Sequence, residues 1–122
     1  MKISHLVLWV QDNTLSAKFY KKLGFSITHS DDQTSTVRLD GFEIVLVTMR
    51  DDEEFVRDSL AGSKGRGMYV YVAVEDVDKQ YDKLVTVGIR PRTKPRDWPW
   101  GNREFIVKDP DGYKLCFWHA TR

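Results

Sequence analysis

Short runs of β-forming residues, each closed by a turn signal, fill most of this chain, and twice they are interrupted by a stretch with helical spacing. Ile3 to Val10 is rich in β-formers and ends at a polar turn, which predicts a strand. Leu15, Phe19, Tyr20 and Leu23 then recur at helical spacing, behind Asp12 or Asn13 as the capping residue and ahead of Gly24 as the stop. Phe25 to His29, Thr34 to Leu39 and Phe42 to Thr48 read as three strands, with turns at Asp31-Asp32 and Asp40-Gly41. The order strand, helix, three strands then returns. Met68 to Val74 is a strand, Asp76 opens a helix that runs through Leu84 to a stop at Gly88, and Ile89 to Thr93, Asn102 to Lys108 and Tyr113 to His119 are strands. Asp109-Pro110-Asp111-Gly112 supplies the dihedrals of a hairpin turn.

The return is visible in the residues themselves. Val10-Gln11-Asp12 reappears as Val74-Glu75-Asp76 and Gly24-Phe25 as Gly88-Ile89, both 64 positions on. Asp40-Gly41-Phe42-Glu43-Ile44 reappears as Asp111-Gly112-Tyr113-Lys114-Leu115, 71 positions on. The seven additional residues fall between Ile89 and Asp111, where an aromatic and basic loop runs from Arg92 to Gly101. The expectation is an α+β domain over residues 1–122 built from two βαβββ units, 1–49 and 67–122. The connector, 50–66, is charged and carries one or two helical turns over Glu53 to Leu60. A unit of about 60 residues buries too little surface to be stable alone, so each leans on the other or on a second chain.

Composition narrows the function classes. With 41% hydrophobic and 30% charged residues the chain has the balance of a soluble globular protein. A net charge of +1 argues against nucleic acid or an anionic membrane as partner. No apolar run approaches the ~20 residues of a bilayer span, and the N-terminus enters a strand with no secretory leader. The single cysteine, Cys116, excludes an internal disulfide, which makes a cytoplasmic location the default.

In a sheet covered by helices on one face, alternate residues look to the other. Leu6, Leu8 and Val10, with Ile44, Leu46, Leu115 and Phe117, suit the helix side. The opposite, concave face then carries His5, Trp9, Glu43, Tyr69, Tyr71, Cys116 and Trp118, with Trp98 and Trp100 offered by the inserted loop. Taken singly, each aromatic is an ordinary core or interface residue. As a set they have the composition of a small-molecule cleft. Glu43 and Glu104 are candidate attractors for cationic groups, and His29 and His119, near strand ends, read as surface residues without partners.

These residues resemble the vicinal oxygen chelate superfamily of glyoxalase I, extradiol dioxygenases, fosfomycin-resistance enzymes and bleomycin-resistance proteins. The resemblance rests on His5 in the opening strand, Ser16-Ala17-Lys18-Phe19-Tyr20 before Leu23-Gly24-Phe25, and Asp109-Pro110-Asp111-Gly112-Tyr113 near the end. Trp100-Gly101-Asn102-Arg103-Glu104-Phe105 ahead of that turn is most similar to the bleomycin-resistance branch. It implies an incomplete barrel-like mixed sheet with the helices outside, and a homodimer in which units of two chains complete each cleft. It also implies a place for a divalent metal, at positions that here hold His5, Val45, Tyr69 and Cys116. Valine cannot ligate, and the remaining three are an odd donor set, so no catalytic residue and no metal or other cofactor is expected. The resulting expectation is a metal-free protein that binds a planar or cationic, antibiotic-like ligand. The alternative is a metal-dependent lyase, isomerase or dioxygenase.

Overall fold

A computed structural model describes residues 1–49 and 64–121; the expected helical turns over Glu53 to Leu60 lie outside them. The chain divides into two compact units, Met1–Lys64 and Gly65–Arg122. The first contains β1 (Leu6–Val10), α1 (Asn13–Leu23), β2 (Ser26–Ser30), β3 (Thr34–Leu39) and β4 (Phe42–Thr48). The second contains β5 (Val70–Ala73), α2 (Val77–Thr86), β6 (Arg96–Trp98), β7 (Asn102–Lys108) and β8 (Lys114–Ala120). Each unit is one four-stranded mixed sheet, ordered β1-β4-β3-β2 and β5-β8-β7-β6, with a single parallel pair at β1–β4 or β5–β8. Neither sheet closes into a barrel. The fold is therefore α+β with tandem βαβββ units, and none of the described helices is long and apolar enough to cross a membrane.

Both helices begin as the sequence predicts. Asp12 caps α1 by accepting from the Thr14 and Leu15 amides, and Asp76 caps α2 by accepting from Lys79. Gly24 ends α1 in the left-handed region at φ 115°, where its amide reaches back to Lys21 and Tyr20. The buried stripe of α1 differs from the predicted one. Leu15 points outward, while Asn13, Ser16, Ala17, Tyr20 and Leu23 are buried. Polar Asn13 goes inside because its amide nitrogen donates to the Ser35 hydroxyl at 2.8 Å and the Asp31 carbonyl at 3.0 Å, so no buried donor is left without a partner.

One expected strand is misplaced. Ile89 to Thr93 forms no strand; Ile89 is buried as the residue that closes α2, its amide bonded to the Leu84 carbonyl. Pro91 has no amide to give a ladder. Pairing with β7 is taken up instead by Arg96–Trp98, inside the segment expected to be an inserted loop. The Asp40-Gly41 turn has both residues at positive φ, 46° and 83°, as a tight hairpin with matched twist demands. At the second hairpin Asp109, rather than the proline and glycine alone, organises the turn, its carboxylate accepting from the Asp111 and Tyr113 amides at 2.9 Å each.

The helix-facing sides form the cores. Val10, Val37, Ile44 and Leu46 are fully buried under α1 with Tyr20, whose ring meets Phe25 edge-on at 5.3 Å. In the second unit Phe105 and Phe117 stack at 5.1 Å, with Tyr81 of α2 edge-on to Phe105. Each fully buried aromatic or aliphatic side chain contributes roughly 1.5–3 kcal/mol.

Candidate functional site

Residues directly opposite on neighbouring strands share a face. In the second sheet Tyr71 lies opposite Cys116, Cys116 opposite Ile106, Trp118 opposite Glu104, Glu104 opposite Arg96 and Asn102 opposite Trp98. The face away from α2 therefore collects Tyr71, Trp98, Glu104, Cys116 and Trp118, with Tyr69 just before β5 and Trp100 in the turn after β6. Seven of the ten predicted ligand-binding residues are brought together in this unit. Trp98 and Trp100 stack face to face, 4.7 Å between centroids and 10° between planes. Tyr69 and Tyr71 meet edge-on at 6.4 Å. Trp100, Tyr71 and Tyr69 are 56%, 51% and 46% exposed, far more than such rings accept in a core.

Glu104 organises the arrangement. It is only 5% exposed, and its carboxylate accepts from the Trp100 indole at 3.2 Å, the Asn102 amide at 3.0 Å and the Tyr71 hydroxyl at 3.5 Å. Those donors are all neutral. The carboxylate thus sits beneath the rings, engaged by the protein, rather than at the surface as an attractor for a cation. Burial, and then the neighbouring Glu104 charge, push the Cys116 thiol up to about 12. Burial raises the Tyr71 phenol to about 12 as well, with Cys116 and Glu104 contributing. Cys116 is consequently a small hydrophobe and not an activated nucleophile.

The three remaining candidates belong to the first unit. Trp9 lies opposite Val47 on the face of its sheet away from α1, and is half-buried. Glu43 shares that face and pairs with Arg38 at 3.6 Å. His5 precedes β1, is exposed, and has its Nδ1 2.9 Å from the Ser4 hydroxyl. Among the metal positions implied by resemblance, Val45 has no donor atom. Tyr69 offers an exposed phenol and Cys116 a buried thiol that resists ionisation. These side chains do not fit a divalent ion, which needs deprotonated ligands. Among the described residues no three His, Cys, Asp or Glu side chains gather in a group able to hold a metal.

Several contacts escaped sequence reasoning. His119 is not an unpartnered surface residue: its Nδ1 accepts from the Val77 amide at 2.9 Å and so satisfies the first turn of α2. His29 also has a partner, with its Nε2 2.8 Å from Asp31. Arg103 grips Asp78 of α2 through Nε and Nη2 at 2.8 and 3.0 Å, and Asp97 of β6 through Nη1 at 3.0 Å. That tether holds the short strand bearing Trp98, and its hydrogen bonds keep Asp78 below the usual carboxylate range. Asn102 could have been found, because it stands two residues from Glu104 in one strand and so looks the same way. An open depression of about 770 Å³ along the start of α2 is lined by Val74, Glu75, Asp76, Lys79, Gln80 and Lys83. None of the aromatic residues contributes to it.

Comparison with known proteins agrees with this architecture. The family described as the Glyoxalase/Bleomycin resistance protein/Dioxygenase superfamily matches residues 2–117. The Bacillus subtilis protein YraH is 33% identical over 118 residues, covering 91% of this chain and 92% of the relative. A bleomycin resistance protein of Geobacillus stearothermophilus is 27% identical over 126 residues, covering 93% and 92%. Among solved structures, a glyoxalase/bleomycin resistance protein/dioxygenase from Nocardioides superposes with a TM-score of 0.79 at 24% identity, covering 98% of this chain and 83% of that one. A bleomycin-binding protein complexed with bleomycin gives 0.68 at 21%, covering 98% of both.

Proposed function

The chain belongs to the Glyoxalase/Bleomycin resistance protein/Dioxygenase superfamily, and from that premise we propose that it binds a small planar, antibiotic-like molecule without a metal and sequesters it by ring stacking. The observation that carries this reading is the Trp98–Trp100 stack, whose Trp100 ring is exposed and held in place from below by Glu104. A protein invests buried hydrogen bonds in fixing an exposed indole where that ring has something to meet. Relatives named for bleomycin resistance, and a neighbour seen with bleomycin bound, support capture rather than turnover. The donor set favours the same reading over a metal-dependent lyase, isomerase or dioxygenase, because Val45 and a protonated Cys116 leave no electrophile to polarise a substrate oxygen. Completion of the cleft by a second copy of the chain is part of the proposal, and sedimentation of the purified protein tests it.

Intrinsic tryptophan fluorescence, read during titration with a panel of planar aromatics before and after exhaustive chelation, tests the central claim. Saturable quenching that survives chelation and weakens in Trp100→Ala is expected. Quenching that vanishes on chelation and returns with one equivalent of a divalent metal would overturn it.

A further inference from the structure

The charge that a ligand meets on this face is positive. Its one carboxylate among the described residues, Glu104, is buried and engaged by three neutral donors. The cations on the same face are Arg96, opposite Glu104, and Lys108 and Lys114, opposite each other on β7 and β8. Among the described residues none of the three forms an ion pair. Two of them lie on the aromatic rings instead. The Arg96 guanidinium stands 3.9 Å from the Trp98 centroid and the Lys114 ammonium 4.5 Å from that of Tyr69. A cationic ligand would have to displace the protein's own cations from those rings. Directly opposed like charges such as Lys108 and Lys114 destabilise a strand pair, and an anion between them relieves the repulsion.

We infer that the ligand is a planar aromatic bearing an anionic group, its ring laid on the exposed Tyr69 and Tyr71 rings and its negative group held by Lys108 and Lys114 at the same end of the sheet. The inference rests on the stacking reading and supplies the charge of the ligand. It replaces the expectation, drawn from Glu43 and Glu104, of a cation. Glu43 is already paired with Arg38.

The test uses three probes of one shape, 2-naphthoate, naphthalene-2-methanol and 2-naphthylmethylammonium, titrated calorimetrically into the full-length protein. Naphthoate is expected to bind tightest, exceeding the neutral alcohol by about fivefold at low salt and less at high salt, with the ammonium weakest. In Lys108→Gln/Lys114→Gln, two exposed or half-exposed positions whose change leaves the core intact, the ratio of naphthoate to alcohol affinity should fall to about one. Binding of the alcohol with the ammonium preferred, or a naphthoate preference that survives the double substitution, overturns the inference and leaves the stacking reading standing. Failure of all three probes to bind, with Trp100 shielded from iodide quenching, assigns the face to a protein neighbour and overturns both.

Discussion

The two sheets share one hydrogen-bonding plan and present opposite surfaces. On the face of the first away from its helix, Val7, Val45 and Val47 stand where the second has Tyr71, Cys116 and Trp118, and Thr34 occupies the register place of Glu104. Apart from Trp9 the first face carries aliphatic and threonine side chains, with Arg38 paired to Glu43. The second is aromatic, and among the described residues its cations form no ion pair. Beneath the helices the contrast reverses. The first unit buries Asn13 and Ser35, which bond half-buried Thr48 and exposed Ser30, whereas the second puts Val77 and Phe105 at the places of Asn13 and Ser35. Only the backbone demand is the same: the amide at the start of each helix is satisfied from the last strand, by the Thr48 hydroxyl in one unit and the His119 imidazole in the other. Duplicated architecture therefore leaves side chains free to give the two units different faces, of which the aromatic one is the proposed binding surface.

The largest blow to this contrast is Phe105→Ala. It removes a ring that is 0% exposed and wedged between Phe117 and Tyr81. Denaturant titration should register a loss of about 3–5 kcal/mol. Ser35→Ala at the matching place is smaller, about 1–3 kcal/mol, because it leaves a buried Asn13 donor short of a partner rather than a cavity. Equal losses from the two substitutions would deny the polar and apolar cores their different physics. His119→Ala and Thr48→Ala should each cost about 1 kcal/mol, as helix-start partners do. Trp100→Ala should cost about 1 kcal/mol of ligand affinity, roughly fivefold, with melting nearly unchanged, since the ring is mostly exposed.

Alkaline pH gives a further way to distinguish the units. Cys116, of the second unit, has its folded-state pKa raised from 9.0 to about 12. The unfolded chain therefore releases this proton first as pH rises, so the folded state holds more protons between those values. The stability from this group is intact below pH 9 and is lost as pH rises toward about 12. Cys116→Ala should flatten that limb of a stability–pH profile, and the native thiol should resist disulfide reagents at pH 8 until the protein unfolds. Rapid labelling of the native protein would contradict the burial that disqualifies Cys116 as nucleophile or ligand.

Most elements were legible because local physics decides them. Aspartate caps, a left-handed glycine stop and alternating β-formers act within a few residues, and the paired motifs 64 and 71 positions apart exposed the duplication. The errors arose where two residues or segments compete for one place in the fold. Ile89 to Thr93 has strand composition, but Ile89 is claimed by the end of α2 and the ladder by Arg96–Trp98. Leu15 has a core residue's chemistry, yet Asn13 goes inside because Ser35 and Asp31 wait there to bond it.

The candidate site divides along the same line. Alternation within strands sufficed to put Tyr71, Cys116 and Trp118 on one face, since side-chain direction follows from strand geometry alone. Charge did not follow so simply. Glu104 and Arg96 look equally available in the sequence, but the fold closes Tyr71, Asn102 and Trp100 over the carboxylate and lays the guanidinium on an indole in the open. Which ionised group meets solvent depends on desolvation and on partners from three strands and a turn, quantities that come into being only when those strands pair.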